Sequence, residues 1–409
     1  MNGNIIPTVQ SPEFAGVQTE TKTVIAAPAV RAAGQTMSGT FMKKTTAALG
    51  AALLALSAQS AFAQSSVTLY GLVDTAIRYQ TNANPQNDGL ASMVQGVETP
   101  SRFGLKGSED LGDGTQAIFK LENQFNLFNG ALPPGAPLFS RNAYVGLSNN
   151  VYGTVTFGYQ QTPFFEAMGN TFDPLTVADY WQDSWAYNPI GPYLFQSNSV
   201  KYKNTIGGLQ IEAMYGFGGV AGSVGTNEMY AFTAEYDVGA LQTLVGFQQN
   251  DVNGKKFNAL NVGAVYAVLP SMKLLAGWLH YQDQTGGTDI YEQQSGLATS
   301  QVLSSTSSLL SPNRIDDNFY VGTQWQVTAP LALTAAGYYG HARNAVMPGD
   351  TTLGVGINYS ATLLAEYSLS KRTEVYGTVD FTHGTGAYTI DYPGRNNQTA
   401  VAIGLRNIF

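Results

Sequence analysis

"SRFGLKGSEDLGDGTQAIFKLENQF", residues 101–125, sets charged against apolar side chains at alternate positions on both sides of a Gly-Asp-Gly turn. Successive side chains of a strand point to opposite faces. Arg102, Lys106, Gln116, Lys120, Glu122 and Gln124 therefore share one face, and Phe103, Leu105, Ala117, Phe119, Leu121 and Phe125 the other. A soluble sheet would turn that apolar face to a core; a membrane barrel would turn it to lipid and keep the polar face on a wet channel.

The composition favours the second arrangement. By length alone, 409 residues suit two or three soluble domains or one large barrel. Charged residues make up only 12% of the chain, and its 23 tyrosines outnumber its 20 lysines and arginines, a balance that suits a β-protein with interfacial aromatics. Cysteine is absent, which excludes disulfides, thiol catalysis and thiolate metal sites together.

"MKKTTAALGAALLALSAQSAFAQ", residues 42–64, reads as a secretory signal. Lys43 and Lys44 form the charged region, an Ala/Leu run to Leu56 the apolar region, and Ala61-Phe62-Ala63 the cleavage site, so the signal peptide spans 42–63 and the mature chain starts at Gln64. Residues 1–41, polar and interrupted by proline, read as a non-native or mis-assigned upstream extension. Removing residues 1–63 moves the net charge from −8 to −10, which argues against nucleic acid as a partner. No run of ~18 apolar residues follows the signal, so a membrane-spanning form must be a closed barrel.

From Val67 onward, alternating segments of roughly ten residues recur, the length a tilted strand needs to cross a bilayer. "VGINYSATLLAEYSL" holds one register over eight outward positions, from Val355 to Leu369. Connectors alternate between short turns such as "EDLGDG" (109–114) and "DVGA" (237–240) and long loops such as 80–100, 162–196 and 284–315. Pairing the segments predicts sixteen antiparallel strands in an all-β transmembrane barrel over residues 64–409. A soluble β-sandwich or solenoid would need a second apolar layer over each apolar face and predicts no difference between its two ends.

Five stretches carry a family resemblance: "SSVTLYGLVDTAIRY" (65–79), the opening 101–125 segment, "RNAYVGLS" (141–148) with "YGTVTFGYQQTP" (152–163), "SNSVKY" (197–202) and the terminal "TAVAIGLRNIF" (399–409). In order and spacing they resemble the general, non-specific porins of Gram-negative outer membranes, sixteen-stranded barrels that act as homotrimers of diffusion pores. The resemblance implies a water-filled channel for ions and small hydrophilic solutes, held in lipid and lipopolysaccharide. It further implies that the third extracellular loop folds into the lumen and that the terminal Phe409 is read by the outer-membrane assembly machinery.

By that resemblance the loop is residues 162–195, with Glu166, Asp173, Asp179 and Asp183, and the basic wall it faces is led by Arg102 and Arg141. Lys106, Lys120 and Arg78 share the inward parity. Where the family often has a further arginine, this chain has Gln196 and Ser197, with Lys201 and Lys203 as substitutes. Opposite charges across a narrow aqueous slot set up a transverse field that separates ions by sign. The acidic total of the mature chain points to cation preference and the lumen arginines to anion preference, so the sequence carries both indications. A solute-specific channel, and a surface adhesin acting through its loops, are the alternative functions.

No enzyme or cofactor site is read here. "EDLGDG" lacks calcium-loop ligand spacing, and His280, His341 and His383 lie on separate strands with no close metal-ligand pair. Asp380 and His383, three apart in one strand, fall on opposite faces. Outward small residues such as Gly71 and Ala361 would allow close subunit contact.

Overall fold

The computed structural model describes residues 66–133, 135–178, 188–295, 309–348 and 352–409. The signal peptide, the upstream extension, Asp179 and Asp183 lie outside the described residues.

The chain forms antiparallel strands in sequence: β1 Ser66–Gln80, β2 Leu90–Gln95, β3 Arg102–Gly112, β4 Thr115–Gln124, β5 Asn142–Asn149, β6 Gly153–Gln161, β7 Phe195–Ile206, β8 Leu209–Gly216 and β9 Met229–Val238. They continue as β10 Leu241–Val252, β11 Lys255–Leu269, β12 Met272–Asp283, β13 Arg314–Gln326, β14 Leu331–Val346, β15 Leu353–Ser368, β16 Thr373–Gly386 and β17 Asn397–Ile408. From β3 onward each pairs with its sequence neighbour, and β17 pairs with β1 from Leu72↔Ile408 to Gln80↔Ala400, which closes the barrel and leaves no free edge.

The wall has sixteen positions because β2 and β3 share one. β3 lies along the first half of β1, up to Leu72↔Arg102, and β2 along the second, from Thr75↔Gln95. Residues 96–101 interrupt this shared strand, and Asp74 on β1 stitches the gap. Its backbone N–H donates to Ser101 Oγ at 2.9 Å, Ser101 Oγ donates to its carbonyl at 2.9 Å, and its carboxylate accepts from Thr99 N at 3.0 Å and from Tyr376 Oη at 2.6 Å. β2 falls where the sequence predicts a loop, because six residues, "LASMVQ", carry too few alternations to declare a face.

Exposure alternates with the reverse sense to a soluble sheet. Val67, Leu69 and Ile77 are exposed on β1 while Asp74 and Arg78 are buried; Val379 and Phe381 are exposed on β16 around a buried Asp380. Phe103 and Leu105 lie on the exposed face as the alternation predicts. The Gly112-Asp113-Gly114 turn of the opening stretch has φ of 87°, 50° and 71°, the left-handed region that glycine adopts without steric cost.

Candidate functional site

The inward faces of β3, β4 and β5 gather the basic residues. Antiparallel register sets Lys106 opposite Lys120 and Gly104 opposite Glu122. Gly104 is required here: an added Cβ would lie 2.7 Å from Tyr70 Oη, so its bareness lets the Tyr70 ring cross from β1 and donate to Glu122 Oε2 at 2.8 Å. Lys106 Nζ and Lys120 Nζ sit over the same ring at 5.2 and 5.8 Å, within cation–π range.

Glu122 organises this wall. Its carboxylate accepts from Arg141 Nε at 2.9 Å and from Asn142 Nδ2 at 3.2 Å, and it pairs with Lys120 at 3.4 Å. Arg141 also donates to Gln124 Oε1 at 3.3 Å and lies over the Phe195 ring at 5.8 Å, so its guanidinium is fixed from both sides. Arg102 interacts electrostatically with Arg141, Glu122 and Arg406. Arg406, inward on β17 beside Asp74, extends the arc and was missed by the sequence reading, although its parity with Gly404 and Ala402 marks it as inward. It is ion-paired with Glu98 at 2.5 Å and with Glu374, and lies 4.0 Å from Glu366.

Arg78 of β1 forms a buried pair with Asp380 of β16 at 2.9 Å.

The 162–195 segment begins with a short helix, Pro163–Ala167, capped by Thr162 Oγ1, which accepts from Phe165 N. Phe164, Phe165 and Met168 are buried in one apolar cluster with Leu279 and Tyr281 of β12 and Phe257 of β11. Glu166 accepts from Lys201 Nζ at 2.5 Å and Lys203 Nζ at 3.3 Å, both on β7. Burial works against the Glu166 carboxylate, yet the two ammonium groups hold it down at about 2. Asp173 accepts from Tyr338 Oη at 2.6 Å and from Val177 N at 2.7 Å. Both described loop acids are thus engaged by named donors.

Among the described residues, β-strands at the length of a bilayer crossing, an apolar exterior and a polar interior together describe an aqueous channel. The family model for Gram-negative porins matches residues 48–387. The chain belongs to the Gram-negative porin family. It is 29% identical to an outer membrane porin protein of Bordetella pertussis, over 90% of this chain and 100% of that protein. Among solved structures, the barrel resembles the anion-selective porin from Comamonas acidovorans, with a TM-score of 0.64 at 22% identity, covering 85% of this chain and 100% of that one. It also resembles a trimer form of OmpT of Vibrio cholerae, with a TM-score of 0.55 at 16% identity, covering 84% and 99%.

This porin is therefore a non-enzymatic outer-membrane channel for passive diffusion. His280 faces outward and pairs with Asp317 at 2.9 Å, and the His383 ring lies 5.0 Å from the Tyr359 ring on the outer face, opposite in direction to the buried Asp380.

Proposed function

We propose that this porin prefers anions, and that its selectivity is set by Arg102, Arg141, Lys106 and Lys120 with Arg406 beside them. The observation that carries this reading is the gathering of Arg102, Arg141 and Lys120 around one carboxylate, Glu122, with Lys106 over the Tyr70 ring bonded to it, while Glu166 and Asp173 are engaged by Lys201, Lys203 and Tyr338. Local charge decides, because groups farther than a Debye length of ~8 Å are screened from a permeating ion. The 162–195 loop folds into the lumen and narrows it; the burial of Phe164, Phe165 and Met168 against Leu279 and Tyr281 supports this. Asp179 and Asp183 belong to the same loop.

The functional unit in this reading is a homotrimer in lipid and lipopolysaccharide, a view supported by the barrel's likeness to the trimer form of OmpT. Export uses the 42–63 signal, and Phe409 is the mark recognised during assembly. The test is the reversal potential of purified protein in a planar bilayer under a salt gradient. Arg102→Ala with Arg141→Ala should move permeability toward cations, and Glu122→Gln toward anions. Unchanged potentials in both would place selectivity elsewhere.

A further inference from the structure

Two long-loop segments meet at one buried guanidinium. Arg314, the first residue of β13, donates from Nη1 and Nη2 to the two oxygens of Glu292 at 2.5 and 2.7 Å, and from Nε and Nη2 to the two oxygens of Asp316 at 2.9 Å each. Nη1 also reaches Asp289 Oδ1 at 3.1 Å. Asp289 and Glu292 come from the Gly287–Ser295 helix of the β12–β13 loop. Tyr388, from the β16–β17 loop, donates to Asp316 Oδ1 at 3.1 Å, and its ring lies 5.8 Å from Arg314 Cζ. The helix is also seated on the segment returning to β7: Thr288 Oγ1 donates to Pro189 O at 3.1 Å, and Tyr193 Oη lies 2.7 Å from Thr285 Oγ1.

All four charged groups are at least 95% buried, with three carboxylates facing one cation. Taking an uncompensated negative charge out of water is costly, and a proton relieves it. We infer that Arg314 and its three carboxylates form a proton-dependent clamp, which docks the 287–295 helix onto β13 and the neighbouring loops and lets it go as the cluster loses its proton. Burial, resisted by Arg314, lifts Glu292 from its ordinary value of 4.5 to about 7. The groups facing it are Asp289 on its own helix, Arg314 and Asp316 on β13, and Tyr388 with Asp391 from the β16–β17 loop.

The direction follows from linkage. The docked helix holds the Glu292 proton more tightly than the released one, so docking is favoured in full below 4.5 and loses favour as pH rises to about 7. Over that window the docked-to-released ratio should fall on the order of tenfold per pH unit, then level off.

The chain has no cysteine, so one introduced thiol reports one position. Thr288→Cys places it at a fully buried site, and Ile290→Cys, on the 41% exposed side of the helix, corrects for the intrinsic pH dependence of the thiol. The probe is a membrane-impermeant maleimide on folded protein in liposomes. The labelling rate of Thr288→Cys relative to Ile290→Cys should climb between pH 4.5 and 7 and then flatten. With Glu292→Gln added, the ratio should lose that slope; with Asp289→Asn instead, the slope should move to lower pH. A flat profile in the parent, or the same slope in Glu292→Gln protein whose barrel migrates as folded, overturns the clamp.

Discussion

Glu166 lies 2.5 Å from Lys201, so the first acid of the long β6–β7 loop is an anchor to the wall. Lys203 shares it at 3.3 Å and in turn pairs with the buried Glu212 at 2.9 Å, forming an alternating chain of charge from loop to β8. Breaking a buried pair by removing one partner leaves the other charge uncompensated, at a cost of about 3–5 kcal/mol. Glu166→Gln should therefore loosen the loop: single-channel recordings should show more current noise, with a smaller change in reversal potential than Arg102→Ala causes. The reverse ranking would make Glu166 a selectivity residue. The carboxylate is held at about 2, below its ordinary value of 4.5, so the anchor is intact above 4.5 and lost as pH falls toward 2.

Glu122 should act oppositely to the arginines it holds. Glu122→Gln removes the carboxylate between Lys120 and Arg141 while keeping one acceptor oxygen for Arg141 Nε. Anion permeability should rise, and the rise should shrink in high salt, where the Debye length falls to ~3 Å at 1 M. Reversal potentials at low and high ionic strength check both parts. A shift that ignores salt would point to a change in pore shape.

The barrel was legible in the sequence because a period of two is local: Val355 to Leu369 declares its outward face without reference to any other strand. What needed the fold were contacts between distant strands. Arg406 joins Arg102 only because β17 closes on β1, and Lys201 meets Glu166 only because the loop returns against β7. The Arg314 cluster draws on two loops and a strand end, none with a motif of its own. β2 escaped notice because its pairing is shared with β3 across an interruption that Asp74 fills.

The Arg78–Asp380 pair allows a test of how a buried ion pair contributes inside a barrel wall. Asp380→Asn should be strongly destabilising, by about 3–5 kcal/mol, because Arg78 is 2% exposed and keeps its charge. Replacing both, Arg78→Met with Asp380→Leu, should recover most of that loss, since apolar groups of similar volume leave no buried charge. Urea-induced unfolding from detergent micelles measures both. If the double variant is no more stable than Asp380→Asn, the pair holds a network beyond its two members.

Gly71 and Phe409 close the barrel. Gly71 N donates to Phe409 O at 3.0 Å and Phe409 N to Gly71 O at 2.9 Å, while the Phe409 ring covers the bare Cα: an added Cβ would lie 2.5 Å from Phe409 Cζ and 2.6 Å from the Arg102 carbonyl. The space that would serve subunit contact at Gly71 is thus occupied by the chain's own last residue. Gly71→Ala should lower folding yield by meeting both neighbours. Adding Phe409→Ala removes the ring but leaves the carbonyl, so rescue should be partial, with a coupling on the order of 1 kcal/mol. The same pair separates closure from recognition during assembly. If Phe409 acts only through the ring on Gly71, Phe409→Ala should refold poorly in detergent and assemble poorly in cells to the same extent. A variant that refolds normally in detergent yet fails to reach the outer membrane would show that the terminal aromatic is read by the assembly machinery, independently of the seam it covers.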